Sequence, residues 1–226
     1  MATSTGQRVG IWVIAVAMVG GTLAGFIGLI LAPNNEAAQQ KKTEAAFIKY
    51  QEESQKYQEK VDAQSKVLSK KYYPKFKEYA DAPSKFSAKS VRKLKTIDIK
   101  DGNGKTVDDS SSLAVYYVLW LPDGKIEDQS FSGKSLSQPL SIDELKSASL
   151  IEGWKKGLKG MKIGGIREIQ VPYELGYGKE DKVNQNTGKV DIPGKTPLKF
   201  VVMAIERPEP VAQPEIPQEV LEAYGG

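Results

Sequence analysis

The chain has 226 residues, with 32 Lys and Arg against 28 Asp and Glu, and contains neither cysteine nor histidine. Their absence removes disulfides, thiolate and imidazole metal sites, and the Ser-His-Asp arrangement, so hydrolytic and metal chemistry of the usual kinds is not expected. A net charge of +4 is a weak basic surplus and does not suggest a nucleic-acid footprint, which would need clustering on one face, so no nucleic-acid partner is expected.

Residues 1–10 form a short N-terminal segment. Residues 11–32 (IWVIAVAMVGGTLAGFIGLILA) carry no charge. At about 1.5 Å per residue they cover roughly 30 Å, the thickness of a bilayer's hydrocarbon core, which predicts one transmembrane helix with Trp12 at an interface. The run exceeds the ~7–15 apolar residues of a signal-peptide core and lacks an A-x-A cleavage site, so an uncleaved anchor is expected. Arg8 lies before the span, and Asn34, Asn35 and Glu36 follow it, which favours a cytoplasmic N-terminus and an extracytoplasmic remainder; Lys41 and Lys42 weaken that bias. Gly21 and Gly25 have the four-residue spacing of helix-packing motifs, although glycine is also common in spans that do not pair.

Residues 33–89 read as a polar helical stalk and linker. Glu36 to Lys71 is free of Gly and Pro, and Glu52–Lys56 and Asp62–Lys66 have the order that supports an exposed helix. Phe47, Tyr50, Tyr57, Val61 and Leu68 fall on a rough seven-residue pattern, broken at Ser54 and Gln64. Pro74 and Pro83 are expected to end the helix.

From residue 90 to 206 short strands and Gly-centred turns replace the helical pattern. Leu94, Ile97 and Ile99 precede an Asp101-Gly-Asn-Gly turn, and Leu113 to Leu121 is dense in β-branched and aromatic residues before Pro122-Asp-Gly. Leu150, Ile151, Trp154, Leu158 and Met161 recur at helical spacing, giving one short amphipathic helix. Strands at Ile166–Val171 and Leu198–Ile205 flank a long polar loop. An antiparallel sheet bent around one helix fits this order, an α+β fold. Residues 207–226 hold four prolines and read as a disordered tail.

Several of these segments together resemble a known family. LIEGWKKGLKGMKIGGIREIQVPYELGYG, residues 150–178, is similar to the signature of FKBP-type peptidyl-prolyl cis-trans isomerases. Ile192-Pro193 with Pro197-Leu-Lys-Phe200 resembles the family's ending, and Val115-Tyr-Tyr117 with the Asp123-Gly124 turn before Asp128 resembles its earlier strand and loop. The resemblance covers about residues 90–206. It implies a half-barrel antiparallel sheet wrapped over the helix, with an apolar pocket between them.

Carried over residue by residue, the resemblance puts Trp154 at the pocket floor and Leu150 and Ile151 in a wall, the Ile151 N–H being available to a substrate carbonyl. Tyr117 and Phe200 line the sides, Ile192 caps the pocket, Tyr177 offers its hydroxyl, and Asp128 lies near the twisting amide. Each has a blander account: Trp154 as core, Asp128 as a backbone acceptor, Tyr177 as a strand end. The chain departs from the family at Glu127, where Phe is usual, and at Leu140, where an aromatic rim residue is common. Ile126 or Phe131 is expected to supply the missing apolar surface.

The implied activity needs no cofactor and no metal. The implied partners are proline-containing polypeptide clients, a macrolide ligand and the membrane. The stalk layout resembles macrophage infectivity potentiator-type isomerases, which implies a homodimer. Two other readings stay open: a catalytically weak peptide-binding or chaperone module, and an oligomeric structural subunit of a membrane complex.

Overall fold

Every residue of the apolar run Leu113–Trp120 is buried, and the run forms the central strand, β2, of an antiparallel sheet. Burial on both faces explains why its sequence does not alternate. The computed structural model describes residues 37–225 apart from 81 and 83. The span expected over residues 11–32 lies outside the described residues. Among those that are described, no helix is long and apolar enough to cross a membrane.

In chain order the described elements are α1 (Ala37–Phe76), β1 (Lys95–Lys100), β2, β3 (Ile126–Gln129), β4 (Phe131–Ser132), β5 (Ser135–Leu136) and β6 (Leu140–Ile142). They continue with α2 (Glu152–Leu158), β7 (Ile166–Val171), β8 (Lys182–Val183), β9 (Val190–Ile192), β10 (Leu198–Ile205) and α3 (Gln218–Gly225). The chain divides into two units, one holding residues 65–209 and the other residues 37–64 with 210–225.

In the larger unit the sheet runs β1-β7-β10-β2-β3, with β6 also paired to β2. One face packs against α2: Tyr117 and Leu119 of β2, Phe200 and Val202 of β10, and Ile169 and Val171 of β7 all belong to this core. The expected α+β arrangement of a bent antiparallel sheet and one short helix is present. Two glycines let the helix lie close to the sheet. A Cβ on Gly153 would sit 2.3 Å from Val171 Cγ1, and one on Gly157 would sit 2.6 Å from Ile169 Cγ2. Arg167 of β7 then fixes the helix end, its Nη1 donating to the carbonyls of Gly157 and Lys159, both at 2.9 Å. The same guanidinium donates from Nε to Asp98 Oδ1 (2.6 Å) and from Nη2 to Asp98 Oδ2 (3.0 Å), a bidentate pair that ties in β1.

The opposite face of the sheet is also covered. Tyr116, Val118 and Trp120 pack with Val201, Met203 and the wholly buried Phe76 from the last turn of α1. The Phe76 ring stacks on Phe131 at 5.4 Å between centroids. The helix therefore passes through Pro74 rather than ending there, because burial of Phe76 holds a last turn that proline alone would weaken. Ser69 Oγ accepts the Leu136 N–H at 2.8 Å, and Trp120 Nε1 donates to the Ala82 carbonyl at 2.6 Å.

In the smaller unit Phe47 and Val220 are buried together, and Lys42 pairs with Glu219 at 3.3 Å. The expectation of disorder throughout 207–226 is thus corrected at its end. Pro217 accepts the first hydrogen bonds of α3, from the N–H groups of Val220 and Leu221, and the apolar Val220 gives this helix something to bury.

Two outcomes follow for the larger unit. Gly153→Ala should lose about 1–3 kcal/mol in urea denaturation, since the added methyl meets Val171. The Arg167 hydrogen bonds hold the Asp98 carboxyl below its ordinary value of 3.8, so their stabilisation is present above that pH and fades as pH falls through the folded value. Asp98→Asn should lower the urea midpoint by a constant, modest amount from pH 8 to 5, the carboxylate being 47% exposed, and the gap should close in acid.

Candidate active site

Ile151 is the N-cap of α2, with extended backbone angles (φ −60°, ψ 147°), and its carbonyl accepts the N–H groups of Trp154 (3.0 Å) and Lys155 (3.3 Å). Among the described residues no acceptor faces the Ile151 N–H, so this donor stays available at the mouth of the helix–sheet cleft. One turn on, the close approach at Gly153 and Gly157 sends the Trp154 indole into the cleft, where it is only 4% exposed. Tyr117 and Phe200 stand nearly perpendicular to it, with centroids 5.1 Å and 5.3 Å away and interplanar angles of 85° and 81°. This edge-to-face box is a favoured aromatic geometry. Within it the indole Nε1 is buried and has no hydrogen-bond partner among the described residues.

Leu150, Ile151, Leu140 and Tyr177 are partly buried against the same core, and Ile192 lies within it. Ile192 arrives on the β8–β9 hairpin, opposite Lys182. The hairpin turn is held by Asn184 Oδ1, which accepts the N–H groups of Asn186 (3.0 Å) and Thr187 (3.1 Å). The loop expected over residues 179–191 is therefore mostly a short hairpin leaning toward the cleft.

The polar side of the site comes from β3. Tyr117 Oη donates to Asp128 Oδ2 at 2.6 Å, and Ser130 Oγ accepts the Tyr117 N–H at 2.9 Å. Leu119 pairs with Asp128 while Trp120 pairs with Ile126, so Glu127 is the extra residue of a β-bulge. In a regular strand Glu127 and Asp128 would point to opposite faces; a bulge re-aims one of them. Both carboxylates accordingly act on the Tyr177 hydroxyl, whose pKa is pushed up to about 12, first by burial and then by Asp128 and Glu127. Tyr177 thus remains a neutral O–H donor across the physiological range. Lys182 Nζ lies 4.8 Å from the centre of its ring. Glu127 is 8% exposed and pairs with the 61% exposed Lys125 at 2.8 Å. The Lys125 ammonium is held above its usual range by that bond first, with Asp123 and Asp191 adding to it.

Of the nine residues singled out from the sequence, Tyr117, Trp154, Ile192 and Phe200 lie in the core between the sheet and α2, Leu140, Leu150, Ile151 and Tyr177 pack against it, and Asp128 is joined to it through the Tyr117 hydroxyl. The expectation for Ile126 and Phe131 fails, because both pack on the opposite face of the sheet with Phe76. Sequence reading missed Lys125 as the partner of Glu127, the bulge that turns Glu127 inward, and the Tyr117–Asp128 bond. The only trace of the bulge in the sequence is two adjacent acids in a strand where alternation should separate them.

A family model described as FKBP-type peptidyl-prolyl cis-trans isomerase matches residues 103–205. The chain is 34% identical over 118 residues to the FK506-binding protein 4 of Aspergillus oryzae, covering 52% of this chain and 23% of that one. It is 38% identical over 81 residues to an FK506-binding protein of Neisseria meningitidis serogroup B, covering 36% of this chain and 71% of that one. A solved peptidyl-prolyl cis-trans isomerase from Pseudomonas syringae pv. tomato is 30% identical, covers 50% of this chain and 73% of its own, and superimposes with a TM-score of 0.40. The chain spans about a quarter of the length of the Aspergillus and Emericella relatives.

The electrostatics of the cleft can be read directly from Tyr177. With tyrosine carbon-labelled at Cζ, its NMR titration should begin well after that of exposed tyrosines and centre near pH 12. Asp128→Asn should shift it downward, since one negative neighbour is gone. A midpoint near the ordinary value of 10 would contradict the burial seen here.

Proposed function

The chain belongs to the FKBP-type peptidyl-prolyl cis-trans isomerases, and we propose that it accelerates cis–trans exchange at X–Pro bonds of polypeptide clients. The observation that carries this is the buried aromatic box around Trp154, with an unclaimed backbone donor at Ile151 and a neutral hydroxyl at Tyr177. A proline ring fits such a box through apolar and edge-to-face contact. Rotation about the planar amide faces a barrier of ~18–20 kcal/mol, and the uncatalysed exchange takes tens to hundreds of seconds. A catalyst need only favour the twisted amide, in which resonance is lost, over the planar one. The Ile151 N–H and the Tyr177 O–H are donors fixed in advance for carbonyls flanking the proline. Asp128, held by the Tyr117 hydroxyl, is the polar group beside the twisting bond. No bond is made or broken and no proton is moved.

In the same reading residues 11–32 anchor the chain as a single-pass membrane protein, with the N-terminus cytoplasmic and the folded domain outside. The stalk supports pairing of two copies, and the cleft takes a macrolide as well as a peptide. A second reading is favoured by one observation, the Glu127 carboxylate at the cleft: the domain binds client peptide and acts as a chaperone with little turnover.

A protease-coupled isomerisation assay on the purified full chain separates the two. Turnover should exceed the uncatalysed rate, and Trp154→Ala and Tyr177→Phe should each reduce kcat/KM by about tenfold or more while the far-UV spectrum stays unchanged. Peptide binding without acceleration would favour the second reading.

A further inference from the structure

The bulge at Glu127 places a second carboxylate beside Asp128 next to the aromatic box, and the side chain of its partner, Lys125, is mostly exposed. Glu127 is 8% exposed, whereas Lys125, which covers it at 2.8 Å, is 61% exposed. Among the described residues Lys125 is the only cation paired with Glu127. An exposed lysine in such a pair contributes little to stability, because ordering its long side chain offsets most of the attraction. It can swing out at small cost, and water or another cation can take its place. The carboxylate cannot follow, since its strand is paired to β2 on either side of the bulge.

The neighbours of this pair have one prevailing sign. Asp128 is adjacent on β3, and Asp123 and Asp191 act on the Lys125 ammonium from the β2–β3 turn and from β9. The other cation near the cleft, Lys182, is engaged over the Tyr177 ring. With Lys125 displaced, the rim beside Asp128 is an acidic notch.

From this geometry we infer that Glu127 and Lys125 form an exchangeable ion pair that selects clients with Lys or Arg immediately before the proline. The inference rests on the isomerase reading, in which Asp128 lies beside the twisting amide. That amide joins proline to the residue before it, and with Asp128 of β3 beside the amide this reading turns the preceding side chain toward β3 and Glu127. A Lys or Arg there displaces Lys125 and takes Glu127 as its partner. An apolar residue leaves the native pair intact, and an acidic one meets Glu127, Asp128 and Asp191 together.

The test uses the full chain and tetrapeptide substrates Ala-Xaa-Pro-Phe with Xaa as Lys, Leu or Glu. The quantity read is the ratio of kcat/KM for Lys-Pro over Leu-Pro, at low and at high salt. Glu127→Gln should lower that ratio by about three- to tenfold, and Lys125→Gln should raise it, because the carboxylate is then uncovered. Both shifts should shrink in 1 M salt, where the Debye length is about 3 Å. The opposite signs separate selection from a general loss of fold, which would move every substrate in one direction. Ratios unchanged in both variants, with Leu-Pro turnover present, would overturn the inference and leave the isomerase reading standing. No acceleration of any substrate by the wild-type chain would instead remove the reading on which it rests.

Discussion

The distance between helix α2 and strand β7 is the constraint on which the rest of the larger unit depends. At Gly153 and Gly157 there is no room for even a methyl group, because the branched side chains of Val171 and Ile169 occupy it. That closeness lets a side chain as large as Trp154 reach the far wall of the cleft and meet Tyr117 and Phe200 edge-on. It also puts the carbonyl end of the helix within reach of the Arg167 guanidinium, which satisfies two of the carbonyls a short helix leaves open. One arginine thereby joins helix, sheet interior and edge strand. The price in conformational entropy of two helical glycines is offset by a contact that no larger residue permits.

The candidate site that results holds few polar atoms. Its donors are a backbone N–H left over from helix initiation and a phenol kept neutral by burial. Its acceptor Asp128 takes the hydroxyl of a neighbouring tyrosine. Such a set suits a reaction in which only a torsion changes.

Much of this was legible before any coordinates. The runs at Leu113–Trp120, Ile166–Val171 and Leu198–Ile205 have the length and β-branched content of strands, and the Leu150 to Met161 spacing is that of a helix. The nine candidate residues could be named because they sit in segments that resemble the family's in order and spacing. What stayed hidden depends on register and on distant partners. A bulge is a mismatch between two strands, so nothing in β3 alone announces that Glu127 turns inward. Strands as short as β4 and β5 carry too few residues to display a period. The second cover of the sheet could have been anticipated: eight apolar residues without alternation require burial on both faces, and one helix supplies only one. The aromatic residues near Pro74 were the unclaimed candidates.

That second cover bears on how the domain can be inherited. The stretch matched by the family begins at residue 103, but the unit that packs as one begins at residue 65, because Phe76 closes the face formed by Tyr116, Trp120 and Val201. A recombination breakpoint between Phe76 and β1 would carry away the sheet without its lid and leave that face to water. The unit that packs is therefore longer than the stretch the family model recognises. The rings of Phe76 and Phe131 are two halves of one contact that spans this boundary, so neither side of it is complete alone.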